Sequence, residues 1–288
     1  MVTVSVVLAT HNEEENLASC LASIKDLADE IIVVDGSSTD KTVVIAKKYG
    51  AKVALTDNPP NFHINKQKAI DMATCDWILQ LDADERVTAE LTKEIKQVLQ
   101  SRHSGNSERS VEASRISYAD GRFWTSQNDK ENINGYWLPR KNWFLGRFLK
   151  KGGQYPDYTL RLYRRNKGRL PQKDVHEQAV VTGKVGYLKH PLLHYPYKNF
   201  NGYLKKWNRY TDLIATQIKS ELRNKSVFTQ CFYTIGYVFI KPIHWFLTTY
   251  IRHKGFYDLG PGFVFSFFSA LRFPVSYMKY LKSAIKRF

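Results

Sequence analysis

Apolar runs alternate with amphipathic segments along the first hundred residues of the chain. Four runs of β-branched or apolar residues are typical of buried strands: 3–9, 30–35, 52–55 and 77–81. Apolar positions at helical spacing predict helices after Asn12, over about 41–49, over about 64–73 and over about 89–100. This alternation predicts an α/β fold, a mostly parallel, Rossmann-like sheet whose right-handed crossovers place helices on both faces.

The first helix carries its own start signal. Asn12 stands at the predicted N-cap and Glu15 in the capping-box position, ahead of an apolar stripe that includes Leu17 and Leu21. No glycine fingerprint of the dinucleotide-binding type follows the first strand, so the pattern excludes the usual NAD-binding domain.

The pattern changes after residue 100. Residues 101–108 are polar and predict a mobile loop. Short strand-like runs follow at 113–118, 135–139, 160–163 and 178–181. We expect residues 112–197 to extend the sheet with antiparallel strands.

The last third predicts helices with aromatic faces, over about 203–222, 227–247 and 263–280. Lys241-Pro242 and Arg272 interrupt the apolar runs, and no stretch has eighteen uninterrupted apolar residues, so we expect no membrane-spanning helix. Apolar runs flanked by Lys and Arg are typical of amphipathic helices that lie in the membrane interface. A helical subdomain packed on the core or on another subunit is the alternative, which leaves an oligomer possible.

Net charge also favours a surface-binding role for this region. The chain has 43 Lys and Arg against 27 Asp and Glu, and +12 of the net +16 lies after residue 197. Such an excess indicates an anionic partner, either nucleic acid, an acidic membrane or a phosphorylated substrate. Because the apolar runs suit lipid better than stacked bases, we expect an anionic membrane surface and no nucleic acid.

The three cysteines, Cys20, Cys75 and Cys231, form neither a disulfide framework nor a metal-ligand spacing. Buried thiols in a reducing compartment account for them. The opening residues, Met1 to Val7, lack a basic segment and resemble a first strand and not a signal peptide. We therefore expect a cytoplasmic protein bound peripherally to the inner face of the cell membrane.

The strongest chemical signal follows the strand at 77–81, where the chain reads Asp82-Ala83-Asp84-Glu85. Two carboxylates separated by one small residue can share Mg²⁺ or Mn²⁺, and such an ion commonly also binds a diphosphate. The carboxyl end of a strand in an open α/β sheet is where a ligand is expected. The alternative is a turn in which an Asp caps the next helix.

Four segments in this order and spacing resemble family 2 glycosyltransferases of the GT-A fold: ATHNEEENL (9–17), VVDGSSTD (33–40), NKQKA (65–69) and DWILQLDADE (76–85). DYTLRLYRR (157–165) with VHE (175–177) resembles a bacterial subgroup that includes lipopolysaccharide-core β-glucosyltransferases of the WaaE type. The resemblance implies a GT-A domain over 1–197, with a nucleotide-sugar half (1–100) and an acceptor half (112–197). Residues 198–288 are then the basic, aromatic, membrane-associating helical region.

The resemblance also implies roles on the donor side. The residues implied to bind the nucleotide-sugar are Thr10, Glu13, Asp35, Lys66, Asp82 and Arg161. Asp82 and Asp84 are implied to hold the metal against the diphosphate. Many family members have two Asp residues at the second strand end, whereas this chain has the single Asp35. Helix capping is the alternative reading for Glu13, and a solvated helix face is the alternative for Lys66.

The acceptor side is less defined, because the Glu-Asp pair that carries the catalytic base in much of the family is absent. Glu177 is the candidate general base and Asp157 the second candidate. His176 is a candidate metal ligand or phosphate contact. An ordinary surface ion pair is the alternative for His176 and Glu177.

The predicted activity is inverting transfer of a hexose from a UDP-sugar to a hydroxyl of a lipid-linked or lipopolysaccharide glycan, with Mg²⁺ or Mn²⁺. A polyprenyl-phosphate sugar synthase is one alternative, since its anionic acceptor needs no strong base. A non-catalytic, membrane-peripheral scaffold with the same fold is another.

Overall fold

The computed structural model describes residues 2–100, 133–172, 178–223 and 225–285. The loop predicted at 101–108 and the strand predicted at 113–118 lie outside these residues. His176 and Glu177 also lie outside them.

The chain forms two compact units, which cut it differently from the boundary expected at 197. One unit comprises Met1–Pro139 with Tyr158–Leu193, and the other comprises Arg140–Asp157 with His194–Phe288. The strands are β1 Val4–Thr10, β2 Glu30–Asp35, β3 Lys52–Leu55, β4 Trp77–Leu81, β5 Glu85–Val87, β6 Ile133–Phe144, β7 Arg147–Phe148, β8 Asp157–Arg164, β9 Gly168–Arg169, β10 Val180–Val181, β11 Lys184–Tyr187 and β12 Leu192–His194. The α-helices are α1 Glu14–Ser23, α2 Thr42–Lys48, α3 His63–Asp71, α4 Ala89–Gln100, α5 Phe200–Leu222, α6 Val227–Ile235, α7 Lys241–Phe246 and α8 Leu259–Ile285.

The first unit contains the predicted parallel sheet. Its strands lie in the order β3-β2-β1-β4, and every neighbouring pair among them is parallel. Successive side chains of a strand point to opposite faces. Val6 and Leu8 of β1 pack with residues of α1, α2 and α4, whereas Val7 packs with Ala69 and Ile70 of α3. Helices therefore cover both faces, which confirms the predicted GT-A-like α/β fold.

The sheet continues beyond β4 in the order β8-β6-β12-β5. β8 pairs antiparallel with β4, as predicted, but β11 pairs parallel with β6. A parallel pair needs a long connection, and the 39 residues between the end of β6 and the start of β11 supply one. The extension is therefore mixed and not purely antiparallel.

The second unit is mainly helical. Asn199 caps α5, since its side chain accepts a hydrogen bond from Gly202 N–H at 2.9 Å. Tyr203 of α5 packs edge-on against Phe144 and against Phe268 of α8. Lys279 Nζ of α8 ties the two helices by donating to Asp212 Oδ1 of α5 at 2.7 Å. Part of the aromatic content predicted to face a membrane is thus core of this unit.

The helix predicted over 227–247 continues through Lys241-Pro242. α6, a π-helical stretch at Gly236–Ile240, α7 and a second π-helical stretch at Leu247–Arg252 follow one another without a gap, and we call residues 227–252 the helical rod. Proline removes one backbone N–H and crowds the preceding turn. The wider π-helical turn directly before Lys241 accommodates that crowding. Arg272 likewise lies inside α8 and does not end it. In the described part of the chain, each helix is too short or too polar to cross a membrane.

Candidate active site

The carboxyl ends of β1 and β2 bring Thr10 and Asp35 together. The two residues face each other in the parallel register, and Thr10 Oγ1 donates to Asp35 Oδ2 at 2.9 Å. The turn after β2 also holds this carboxylate, because Ser38 donates to it from its N–H at 2.8 Å and from its Oγ at 2.6 Å. Asp35 is fully buried and its orientation is fixed.

The predicted capping role of Asn12 is wrong. Its backbone lies in the left-handed region, with φ of 54°, and α1 starts after Glu13 without a side-chain cap. Instead, Asn12 Oδ1 accepts from Thr39 N–H at 2.9 Å and Asn12 N–H donates to Ser38 Oγ at 2.8 Å. Asparagine tolerates this backbone conformation, which frees its amide to join the loops after β1 and β2.

Glu13 turns back onto its own helix. Its Oε2 accepts from Asn16 Nδ2 at 2.8 Å, and its N–H donates to Thr42 Oγ1 at 2.8 Å. This geometry is that of a residue at a helix start. Its role in donor binding stays a prediction.

Asp82 lies in a cluster of two cations and two carboxylates. Lys66 Nζ contacts its Oδ1, and Arg161 Nη2 donates to its Oδ2 at 2.5 Å. Arg161 Nη2 also donates to Glu85 Oε1 at 2.9 Å. The Lys66 and Arg161 side chains are each 8% exposed and Glu85 is fully buried, so little water screens these charges.

Three elements position this cluster. The turn after β4 closes on itself, because Asp82 N–H donates to Glu85 Oε2 and Glu85 N–H donates to Asp82 O, both at 2.9 Å. Lys66 comes from α3. Arg161 comes from β8, which pairs with β4 through Leu79 and Leu162. Sequence reasoning missed Glu85 as a member, although it closes the acidic motif.

Strand alternation separates two arginines of β8, Arg161 and Arg164. Arg161 is buried in the cluster, whereas Arg164 is exposed and its guanidinium lies 5.4 Å from the centre of the Trp77 ring. Only Arg161 therefore reaches the carboxylates, as the alternation predicts.

The cluster keeps Asp82 and Arg161 ionised. Loss of solvent opposes the charge on Asp82, but Arg161 and Lys66 outweigh this effect and hold the pKa of Asp82 well below its usual range. Burial lowers the pKa of Arg161, and the neighbouring Asp82 and Glu85 raise it by more. Asp82 is therefore a carboxylate at neutral pH and not a proton donor.

The donor set suits a hard divalent cation that arrives with phosphate. No group of three His, Cys, Asp or Glu in the described residues could hold a metal ion alone. Mg²⁺ usually binds through one or two carboxylates together with substrate phosphates. Asp84, half-buried in the turn beside Asp82, supplies a carboxylate of that kind. The predicted ligand His176 lies outside the described residues.

The profile of glycosyl transferase family 2 matches residues 5–167, more than half of the chain and all of the cluster. The chain belongs to glycosyltransferase family 2. This membership confirms the family indicated by the sequence motifs.

Relatives of this glycosyltransferase fall into two kinds. An uncharacterised glycosyltransferase of Rickettsia bellii is 41% identical over 102 residues, 35% of this chain and 34% of that protein. The lipopolysaccharide core biosynthesis glycosyltransferase LpsC of Rhizobium meliloti is 29% identical over 276 residues, 91% of this chain and 88% of that protein. For the relatives with higher identity, the match spans only about a quarter to a third of their length.

Among solved structures, a glucosyl-3-phosphoglycerate synthase from Mycobacterium tuberculosis, in complex with Mn²⁺, UDP-glucose and phosphoglyceric acid, is similar to the chain. It is 30% identical over 29% of this chain and 34% of that one, with a TM-score of 0.27.

The second unit of the glycosyltransferase contains a separate polar cluster around Asp157. Asp157 Oδ2 accepts from Arg140 Nε at 3.0 Å, from Arg140 Nη2 at 2.8 Å and from Asn142 Nδ2 at 3.3 Å. His194 Nδ1 lies 2.7 Å from Asn142 Oδ1. Sequence reasoning assigned nothing to His194, because the pairing joins residues 52 positions apart. These three donors all bind Oδ2 of Asp157.

Proposed function

We propose that this chain is an inverting, metal-dependent transferase that moves a hexose from a UDP-sugar to a hydroxyl of a lipid-linked or lipopolysaccharide glycan. The observation that carries the proposal is the buried cluster of Lys66, Arg161, Asp82 and Glu85 at the carboxyl edge of the sheet. Family membership supports sugar transfer, and the similarity to LpsC over nine tenths of the chain supports the acceptor class.

The donor's nucleoside binds at the ends of β1 and β2. Asp35, held by Thr10 and Ser38, is a rigid acceptor for an imide or hydroxyl proton of the donor. Glu13 borders this pocket. A preoriented carboxylate costs little reorganisation when the ligand binds, which favours affinity.

Lys66 and Arg161 stabilise the diphosphate. In the transition state, negative charge develops on the departing UDP, and preorganised cations in a poorly solvated site stabilise it strongly. Both side chains are already held in place by Asp82, so they need not be ordered when the donor binds. Asp82 thereby positions the cations and also faces the donor.

Asp84 and Asp82 would hold Mg²⁺ or Mn²⁺ at the diphosphate. When bound, the ion neutralises charge on the leaving group.

Inversion requires the acceptor hydroxyl to attack on the side opposite the leaving group, assisted by a base. Glu177 takes this proton, and Asp157 is the second candidate. His176 assists at the metal or phosphate. We expect Glu177→Gln to lower kcat by roughly 10²–10⁴-fold with unchanged UDP affinity. If only Asp157→Asn lowers kcat, Asp157 is the general base. Full activity in both variants would favour a polyprenyl-phosphate acceptor.

The reaction takes place at the cytoplasmic face of the membrane, where the protein binds peripherally. The excess of basic residues after residue 197 supports this location.

Donor binding is tested with UDP, GDP and CDP by thermal shift, each with Mn²⁺. Of the three nucleotides, we expect only UDP to raise Tm. At 100 times its Kd, UDP should stabilise the folded protein by about 2.7 kcal/mol. Lys66→Gln should weaken UDP binding at least tenfold. The matched control is Lys68→Gln, two residues further along α3, where Nζ donates to Thr56 Oγ1 at 2.7 Å. Equal UDP binding in both variants, or no transfer from any UDP-sugar, would contradict the proposal and favour a scaffold.

A further inference from the structure

The helical rod presents a long apolar stripe to solvent. Seven of its large apolar residues are between 50% and 73% exposed, at spacings of four or three: Phe228, Phe232, Ile235, Phe239, Ile243, Leu247 and Ile251. A monomeric surface seldom carries an apolar patch of this extent without a partner. The rod has 26 residues, so at about 1.5 Å per residue the stripe is close to 40 Å long.

The opposite face of the rod is already occupied within the same unit. Tyr237 lies against Phe273 and Tyr277 of α8, and Trp245 also lies against Phe273. α8 therefore does not cover the exposed stripe. The stripe lies on the side of the helical rod opposite to the face that packs on α8.

The π-helical stretches keep the stripe on one side. In a straight α-helix each step of four residues rotates the side chain by about 40°, so the four steps from Ile235 to Ile251 would turn it by roughly 160°. A π-helix has more residues per turn, so a step of four there rotates less than a full turn and reverses the drift. The two π-helical stretches lie at Gly236–Ile240 and Leu247–Arg252, and the five residues from Ile235 to Ile251 at spacing four all remain at least half exposed.

Charge identifies the occupant of this face. Between Leu222 and Tyr257 the chain has no acidic residue, and it has five basic ones: Arg223, Lys225, Lys241, Arg252 and Lys254. Arg223 and Lys225 precede the rod, and Arg252 and Lys254 mark its other end, all of them exposed. A symmetric dimer through this face would bring like charges together, whereas anionic lipid headgroups complement them.

We propose that the rod lies in the plane of an anionic bilayer, with its stripe in the acyl boundary and its basic ends on the headgroups. Amphipathic helices of this kind bury their apolar face about 5–10 Å deep. On α8, the exposed Leu259, Phe263 and Phe267 recur at spacing four and widen the same apolar surface through the contact of Phe263 with Phe246. The inference deepens the proposed function by assigning its membrane contact to a surface, and it rests on that function only for the choice of a membrane-bound acceptor.

Flotation with vesicles tests the proposal without any transfer assay. The full-length protein should float with vesicles of phosphatidylcholine and 30% phosphatidylglycerol at low salt, and much less with phosphatidylcholine alone. The triple variant Ile235→Asn, Phe239→Asn and Ile243→Asn should lower partitioning by about two orders of magnitude. These side chains are exposed, so UDP-induced thermal shifts should be unchanged.

The matched control replaces three exposed apolar residues of the other unit: Val44→Asn, Leu55→Asn and Met72→Asn, whose side chains are 67%, 71% and 40% exposed. It should float like the wild type. Equal loss in both triple variants, or wild-type protein that stays in the aqueous fraction, would overturn the proposal. A wild-type dimer that the stripe variant converts to a monomer, without flotation of either, would assign the stripe to a second copy of this chain.

A label on Cys231 reports the depth of insertion. Cys231 is exposed beside Phe232, whereas Cys20 is buried, so Cys75→Ser leaves a single accessible thiol for an environment-sensitive fluorophore. Anionic vesicles should shift its emission to the blue and shield it from an aqueous quencher. An emission spectrum unchanged by vesicles that float the protein would place the contact elsewhere and refute the assignment to the stripe.

Discussion

The charge of Asp82 is balanced inside the protein before any substrate binds. Lys66 and Arg161 each form an ion pair with one of its oxygens, and Arg161 also pairs with Glu85. Buried ion pairs contribute little net stability, because desolvation offsets the attraction. Their position at the carboxyl edge of the sheet therefore indicates a functional reason for the cluster. A diphosphate that enters must share these two cations with Asp82.

The two arginines of β8 provide a matched pair of variants. Arg161→Met should lower the free energy of unfolding by about 3–5 kcal/mol, because it leaves two carboxylates without their shared partner. It should also abolish UDP binding. Arg164→Met, on the opposite face, should cost less than about 1 kcal/mol and leave UDP binding intact. Urea denaturation and calorimetric titration with UDP and Mn²⁺ measure both effects.

A double variant separates stability from binding. Arg161→Met with Glu85→Gln removes one charge of each sign, so part of the lost stability should return. UDP binding should not return, because the cation is still missing. Recovery of binding together with stability would mean that Arg161 acts only on the fold.

Metal binding should depend on the nucleotide. Mn²⁺ alone should bind weakly, since Asp82 is already compensated by two cations, and UDP should strengthen it by supplying phosphate oxygens. Lys66→Met should raise the affinity for Mn²⁺ alone, while Asp84→Asn should abolish metal binding in the presence of UDP. Electron paramagnetic resonance of free Mn²⁺ measures these affinities. Tight binding of Mn²⁺ to the wild type without nucleotide would contradict this coupling.

At the level of elements, short polar links hold the strand ends in place. Asn12 joins the loops after β1 and β2 at the carboxyl edge. Glu30 does the same at the amino edge, where it accepts from Thr74 N–H at 2.9 Å and from Lys52 Nζ at 2.7 Å. The carboxyl edge carries the candidate site, and the links at the amino edge hold the strand starts.

Glu30 gives the fold a measurable pH dependence. Burial opposes ionisation, but Lys52, Ser5 and Thr74 lower the pKa of Glu30 from 4.5 to about 2. Its stabilisation is therefore fully present above pH 4.5 and is lost as pH falls towards 2. Glu30→Gln should lower the free energy of unfolding by roughly 2–3 kcal/mol at pH 7. It should also weaken the pH dependence of this free energy between pH 4.5 and 2. Glu90→Gln, at an exposed position, serves as the control and should keep the pH dependence of the wild type. Urea denaturation across this pH range measures the free energy of unfolding of both variants.

Asn12 tests whether the turn supports the site. Asn12→Ala loses the side-chain oxygen that accepts from Thr39 N–H and keeps the left-handed backbone, so it should cost about 1–3 kcal/mol. Asn12→Gly relieves the backbone and should cost less in stability. If the crosslink orients Asp35, both variants should weaken UDP binding equally in calorimetry. If the loss of UDP affinity in the two variants is instead proportional to their loss of stability, Asn12 acts only on the fold.

At the level of the whole molecule, the two compact units carry different proposed contacts. The donor cluster lies in the unit that comprises 1–139 and 158–193, and the apolar stripe lies in the unit that includes 194–288. Hydrogen exchange should therefore separate the two ligands. UDP with Mn²⁺ should protect residues 35–40 and 63–67, while anionic vesicles should protect residues 227–252. Protection of both regions by either ligand alone would show that the two sites are coupled.

The sequence by itself determined the elements whose causes are local. The alternation of apolar runs and helical stripes predicted β1 to β4 and α4, because burial patterns have a fixed period in strands and helices. Parallel strand order then places Thr10, Asp35 and Asp82 at one edge of the sheet. The alternation along β8 likewise separated Arg161 from Arg164.

The tertiary structure decided everything that depends on distant partners. The ion pair of Asp82 with Arg161 joins residues 79 positions apart, and the contact of His194 with Asn142 joins residues 52 positions apart. A local rule also gave the wrong answer at Asn12. Hydrogen bonds to the next loop outweighed capping there, because long-range contacts exceed the small energies of local preference.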